Sequence, residues 1–327
     1  MKKAVVLGSS GFIGTHLVFF LKNKGYEVIG ADIRENIYIT KDQYNFNKGD
    51  IRDLTFLKSV IPFECDEVYQ LAADMGGAGY VFTGCNDALI LQNSARINLN
   101  VAQISVENKV KKLFFASSAC VYPEYNQRDN KRPICNEDSV YPAQPDSDYG
   151  WEKLSAERLF LAYKRNFGLD VKIARLHNIY GIYCVWKDGK EKAPAAICRK
   201  VADATVDKTI EIWGDGNQTR SFLHIDDCLT AIHLLMQSSK SGPYNIGSQE
   251  MITINDLAKK VLSISGKENT VKNVIGPVGV YGRVSDNFKI YQDLGWKPKI
   301  DLENGMRELF DWINNKLNEA KSSPNKL

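Results

Sequence analysis

Histidine is scarce here: the 327 residues contain four, none clustered, and the seven cysteines form no C-x-x-C pair. Neither a zinc site nor a redox dithiol is therefore signalled, and no metal is expected. A strong charge of either sign is also missing, since 42 basic and 39 acidic side chains leave a net charge of +3. That balance argues against a nucleic-acid coat or a membrane-surface protein, so any bound anion must be held locally. No apolar run approaches the roughly 18 to 20 residues needed to cross a bilayer. No secretory leader is expected either, because the run after Met1-Lys2-Lys3 meets Gly8 after four apolar residues. The scattered, odd-numbered cysteines then read as free thiols in a reducing compartment, and the expected location is cytoplasmic. There is no fixed-period repeat, and the polar tail 321–327 is the only low-complexity stretch.

What remains is ordinary globular composition: 44% hydrophobic, 25% charged and 10% aromatic residues. That is enough apolar surface for a sizeable core, and the length suits two structural units. Short apolar strands at 4–7, 27–31, 67–72, 112–116 and 171–176 alternate with helical segments at 11–24, 93–107 and 149–166. Strands separated by helix-length segments imply right-handed crossovers and a parallel sheet. After Tyr180 the pattern loosens into Gly-rich loops, with helices expected at 193–203, 254–263 (Thr253 as N-cap) and 302–317, and a strand at 209–213. The fold expected is α/β: a Rossmann-type doubly wound parallel sheet over 1–180, with a smaller mixed substrate domain over 181–320. A strand-helix segment near 217–237 is expected to return to the first unit.

Gly8-Ser9-Ser10-Gly11-Phe12-Ile13-Gly14 follows the first strand and opens a helix. Gly8 permits a tight turn, Gly11 lets backbone approach a pyrophosphate, and Gly14 lets helix and strand pack closely, with the helix N-terminus facing the anion. Asp32, 18 positions beyond Gly14 at the end of the second strand, suits ribose hydroxyls and repels a 2′-phosphate, which favours NAD over NADP. Arg34 reads as a solvated loop arginine. Asp50 and Ile51 fall where a carboxylate would come near an adenine, although a turn-forming Asp explains Asp50 about as well.

Tyr149 and Lys153 lie four apart on a helix, on one face. An ammonium beside a phenol favours phenolate, which would make Tyr149 a general base. The preceding strand ends in Ala116-Ser117-Ser118, whose serines are placed to orient a substrate hydroxyl or the tyrosine.

These features, with Leu71-Ala72-Ala73 and Asn178-Ile179-Tyr180-Gly181, resemble the extended short-chain dehydrogenase/reductase superfamily over nearly the whole chain. Further stretches are Asp74-Met75-Gly76-Gly77, Ser118-Ala119-Cys120-Val121-Tyr122-Pro123-Glu124, Glu191-Lys192-Ala193-Pro194, Cys198-Arg199-Lys200, Trp213-Gly214-Asp215-Gly216 and Gln218-Thr219-Arg220-Ser221-Phe222. On these the chain is similar to the GDP-mannose 3,5-epimerase family. That resemblance implies NAD as a recycled cofactor held by Gly8, Gly11, Phe12, Ile13, Gly14, Asp32, Asp50, Ile51, Leu71, Ala72, Ala73, Tyr149 and Lys153. It implies oxidation of a sugar at C4, proton exchange at C3 and C5, and return of the hydride. Tyr149, Lys153 and Ser118 would serve the hydride step, with Cys120 and Lys192 as opposed acid/base groups. A nucleotide sugar, GDP-linked, would contact Gly76, Ser118, Cys120, Asn178, Glu191, Lys192, Ala193, Lys200, Gln218, Thr219, Arg220 and Arg283, the cations meeting the diphosphate. A homodimer is implied as well, with no nucleic-acid or membrane partner. Residues 80–93, 181–186 and Tyr281 depart from the family's pattern.

Three rivals stand beside this reading. A GDP-fucose-synthase-like epimerase/reductase would consume NADPH and use a histidine where Lys192 stands. A simple 4-epimerase has no need of Cys120 and Lys192 as proton exchangers, a 4,6-dehydratase would place an acidic pair directly after its active-site serine or threonine where Ala119-Cys120 stands, and a cofactor-sensing module would need only the glycine fingerprint.

Overall fold

The computed structural model describes residues 1–40 and 43–322. The first half supplies strands β1 (Lys3–Leu7), β2 (Glu27–Asp32), β3 (Asn45–Lys48), β4 (Glu67–Gln70), β5 (Lys112–Ser118), β6 (Val171–Leu176) and the short β7 (Ile179–Tyr180). The second half adds β8 (Ile210–Trp213), β9 (Thr219–Ser221), β10 (Leu223–His224), β11 (Tyr244–Ile246), β12 (Met251–Thr253), β13 (Val271–Val274) and β14 (Gly282–Arg283). Among the described residues, seven of these form one all-parallel sheet in the order β11-β6-β5-β4-β1-β2-β3. The chain winds outward from β1 through β2 and β3, then crosses back and winds the other way through β4, β5 and β6. The order reverses between β1 and β4, where open α/β sheets leave a crevice at their carboxyl ends.

Helices α1 (Phe12–Asn23), α2 (Leu54–Val60), α3 (Ala78–Val81), α4 (Asp87–Glu107) and α5 (Asp148–Phe167) precede α6 (Ala193–Asp203), α7 (Ile225–Gln237), α8 (Ile254–Ser265), α9 (Phe288–Leu294) and α10 (Leu302–Ser322). The period-two alternation of β1 shows why the sheet needs cover on both faces. Ala4 and Val6 meet α1 and α7 through Leu17, Leu21, Leu229 and Ile232, whereas Val5 and Leu7 point into the opposite core with Leu57, Val101 and Phe160 of α2, α4 and α5. A third core joins α6, α8 and α10, whose buried Ile197, Val201, Leu257, Val261, Met306, Leu309 and Ile313 recur at helical spacing. Ser147 caps α5 by accepting from Gly150 N, Gly168 ends it with φ +73, and Thr253 caps α8 as its sequence indicates.

The structure departs from the sequence expectations in particular places. Helix α4 begins at Asp87, six residues before the expected start. Within 217–237, β10 pairs with β7 outside the large sheet while α7 packs on the sheet beside α1. The strand that joins the large sheet is β11, beyond that segment, pairing with β6. Lys321 and Ser322 close α10, and residues 323–327 of the expected tail lie outside the described residues. Among the described residues no helix is long and apolar enough to cross a membrane.

Candidate active site

The residues singled out from sequence gather along the carboxyl ends of the parallel strands. Gly8, at φ +84, turns the chain out of β1, and a Cβ there would stand 2.9 Å from the backbone nitrogen of Ala72. A Cβ on Gly14 would overlap the Gly8 carbonyl, so α1 can lie this close to the turn only with glycine. Gly11 caps α1 without any side-chain hydrogen bond, leaving the first-turn N–H groups to an anion. Phe12 and Ile13 anchor that turn against the first core. Asp32 accepts from the backbone nitrogens of Ser10 and Arg34, each at 3.0 Å, which fixes its carboxylate at the lip of the crevice with lone pairs to spare. Leu71, whose N–H donates to the Leu7 carbonyl, leads Ala72 and Ala73 along the other lip. The glycine cradle, the uncapped helix start and the carboxylate at the end of β2 together fit a dinucleotide. Asp50 fits it less directly, because Arg52 grips the carboxylate through both Nε and Nη2 and holds its pKa below the usual carboxylate range. Ile51 beside it is buried in the second core.

Over the end of β5, α5 presents Tyr149 and Lys153. Lys153 is 3% exposed, donates from Nζ to the Ala116 carbonyl at 3.0 Å, and lies 5.7 Å from the centre of the Tyr149 ring. Burial pushes the Lys153 ammonium down and the Tyr149 phenol well up, with a hydrogen bond from Ser118 opposing the latter. The lysine therefore works against a large desolvation cost at the phenol, a term that the spacing of the two residues does not disclose. The adjacent serines divide sharply. Ser118 reaches Tyr149 and accepts from the Cys120 amide at 3.2 Å, whereas Ser117 is buried and donates to Glu157. Only Ser118 is placed to act on a ligand.

Cys120 stands on the 3-10 turn Ala119–Val121 that follows β5, and its partly buried sulfur accepts from Arg283 Nη1 at 3.3 Å. Arg283 in turn pairs with Asp146 at 2.7 Å and donates to Gln127 Oε1. Its guanidinium is thus committed to Cys120, Asp146 and Gln127, which differs from the diphosphate contact expected from sequence. Lys192 is the N-cap residue of α6 and opens to solvent, yet protein surrounds its ammonium, and that confinement lowers its pKa. The helix N-terminus acts in the same direction. Cys120, Cys184 and Cys228 lie within electrostatic range of the Lys192 ammonium. Tyr149, Lys153, Ser118, Cys120, Lys192 and Arg283 therefore form one constellation.

The other expected substrate contacts line the second half. Arg220 donates to the carbonyls of Thr219, Val278 and Val280, and burial with Arg283 nearby brings its pKa down to about 10. Among the described residues no carboxylate makes an ion pair with it, although Asp146 lies within electrostatic range. Gln218 Oε1 and Glu191 Oε2 are buried without partners among the described residues, while Glu191 Oε1 accepts from Arg199 at 2.6 Å. Lys200 donates to the Glu211 carbonyl beside Trp213, Thr219 donates to the Asn130 carbonyl, and Asn178, at φ +44, donates to the Ser221 carbonyl. Ala193 begins α6, and Gly76 packs against Tyr80. Asp146, Gln127, Asn98 and Glu152 belong to the same neighbourhood and carried no sequence signal beyond capping or helix positions. Among the described residues no cluster is arranged to hold a metal ion.

The family described as NAD dependent epimerase/dehydratase matches residues 4–247. The chain belongs to that family. A GDP-mannose 3,5-epimerase of Arabidopsis thaliana is 40% identical over 322 residues, covering 98% of this chain and 84% of that protein. GDP-L-fucose synthase 1 of the same plant is 26% identical, covering 95% and 92%. The crystal structure of a UDP-glucuronic acid 4-epimerase from Bacillus cereus, in complex with UDP-glucuronic acid and NAD, matches at 28% identity with a TM-score of 0.80, covering 96% and 99%. This member of the NAD dependent epimerase/dehydratase family is thus an NAD-dependent enzyme of the epimerase class, and the crevice between β1 and β4 is where its fold seats the cofactor.

Proposed function

We propose that this enzyme inverts C3, C5 or both of GDP-mannose through a transient 4-keto sugar. The observation that carries the reading is the gathering of Cys120 and Lys192 around the Tyr149, Lys153 and Ser118 group. A simple 4-epimerase needs one base for one hydroxyl, whereas inverting a carbon beside a carbonyl needs one group to remove a proton and another to deliver one to the opposite face.

Bound NAD supplies the acceptor that takes the C4 hydride and returns it. Gly8, Gly11 and Gly14 admit its pyrophosphate to the start of α1, and Asp32 holds its ribose. Tyr149 takes the C4 hydroxyl proton, Ser118 orients that hydroxyl, and the Lys153 ammonium stabilises the phenolate. Cys120, with Arg283 against its sulfur, and Lys192 exchange the protons next to the ketone. Arg220 and Lys200 meet the diphosphate, and Asn178, Glu191 and Gln218 offer polar groups to sugar and base. Asp32, and a lysine at 192, favour this reading over a GDP-fucose-synthase-like reductase. The free thiols suit a cytoplasmic setting, and a homodimer is part of the same reading, measurable by sedimentation.

The test is incubation of the enzyme, NAD and GDP-mannose in deuterium oxide. Deuterium entering C3 or C5 without net NADH supports the reading. Stoichiometric NADH with no label defeats it.

A further inference from the structure

Lys153 must carry its charge in a place that disfavours charge. Its side chain is buried, and its one hydrogen bond goes to the neutral Ala116 carbonyl. Phe115 and Tyr149 present ring faces to the ammonium at 4.8 and 5.7 Å. Among the described residues no carboxylate makes a direct ion pair with it. The charged and titratable groups within electrostatic reach of it are Glu152 and Glu157 from its own helix and Cys120 from the turn after β5, with the Tyr149 phenol beside it, and α4 contributes the neutral amide of Asn98 to Glu152.

Glu157 is already neutralised. Its two oxygens accept from Arg175 Nε and Nη2 at 2.9 and 2.8 Å, and Ser117 donates to the first of them. Glu152 differs. It is 4% exposed, Oε1 accepts from Asn98 Nδ2 at 2.7 Å, and Oε2 is buried with no partner among the described residues. Asn98 is itself locked, since its Oδ1 accepts from Gln70 Nε2 at 2.9 Å. A buried carboxylate with no cation in contact and an orphan oxygen is costly, and such a group persists where its charge serves something else.

We propose that Glu152 is a positioning residue, the counter-charge that holds the Lys153 ammonium protonated inside the fold and thereby sets the pH range in which Tyr149 acts as base. The role rests on the reading above, in which Tyr149 and Lys153 serve the hydride step. The same negative charge opposes phenolate at Tyr149, so the phenol yields its proton only with the ammonium in place. Burial raises the Glu152 pKa and Lys153 opposes that rise, which is the reciprocal sign of one coupled pair.

The test is titration of the free enzyme by NMR of [13Cε]lysine, with Lys153→Met assigning the resonance. In Glu152→Gln, Lys153 is expected to lose its proton about one pH unit or more below the native chain, because an opposite charge has been removed from beside it. The alkaline limb of the turnover profile should move down by the same amount. Glu152→Met, unbranched and without donors to strand, serves if the glutamine variant does not fold. An unchanged Lys153 titration in a folded variant overturns the proposal. The titration uses no sugar, so failure of GDP-mannose as substrate leaves this result readable.

Discussion

The two pairs to which the proposed reaction gives acid/base work are built in opposite ways. Tyr149 and Lys153 sit on one face of a long helix, buried and held by backbone. Cys120 stands on a single 3-10 turn, and Lys192 caps the start of α6 where solvent reaches it. The first arrangement excludes water from a step in which electrons would otherwise be lost to side reactions. The second is more open at the residue level, although protein surrounds the Lys192 ammonium itself. In the proposed reaction the dry pair serves hydride transfer and the more open pair serves proton exchange.

That division can be broken by substitution. Tyr149→Phe should have the largest effect, lowering turnover by about 10²–10⁴-fold, the range for loss of a general base. No transient NADH absorbance should appear, and label should enter neither carbon, since proton exchange depends on the ketone. Cys120→Ser should separate the steps: transient cofactor reduction persists while proton exchange from one face of the sugar falls by about 10²-fold or more. Lys192→Met should do the same at the opposite face, and loss of both steps in either variant would merge the two pairs into one.

A smaller effect sharpens the comparison at the place where the pairs touch. A Cβ at Gly150 would overlap the Cys120 carbonyl, so α5 carries the dry pair directly against the turn that carries the thiol. Gly150→Ala should cost about 1–3 kcal/mol through overpacking, read as a lower thermal midpoint, and should slow deuterium exchange more than hydride transfer. Equal slowing of both would show that the turn and the helix move together.

The first half of this architecture was legible because its signals are local. A strand, three spaced glycines and an acidic strand end lie within 32 residues, and Tyr149 and Lys153 share one helical turn. Strand β3, Asn-Phe-Asn-Lys at the sheet edge, escaped because polar edge residues break the apolar pattern. Strand β11 escaped because three residues after Gly242-Pro243 carry too little periodicity to register. The commitment of Arg283 to Cys120 and Asp146 was invisible for another reason: these contacts span 163 and 137 residues, and only the assembled chain brings them together. Ser117 and Ser118 look alike as residues, and strand alternation alone sends one inward to Glu157 and leaves the other at the crevice.

The guanidinium on β14 carries a further meaning for how the enzyme comes into being. The glycine turn and Asp32 lie in the amino-terminal portion, but the thiol receives its cationic neighbour from a strand near the far end of the polypeptide. The contact between that guanidinium and the thiol therefore exists only once β14 is in place beside the turn after β5.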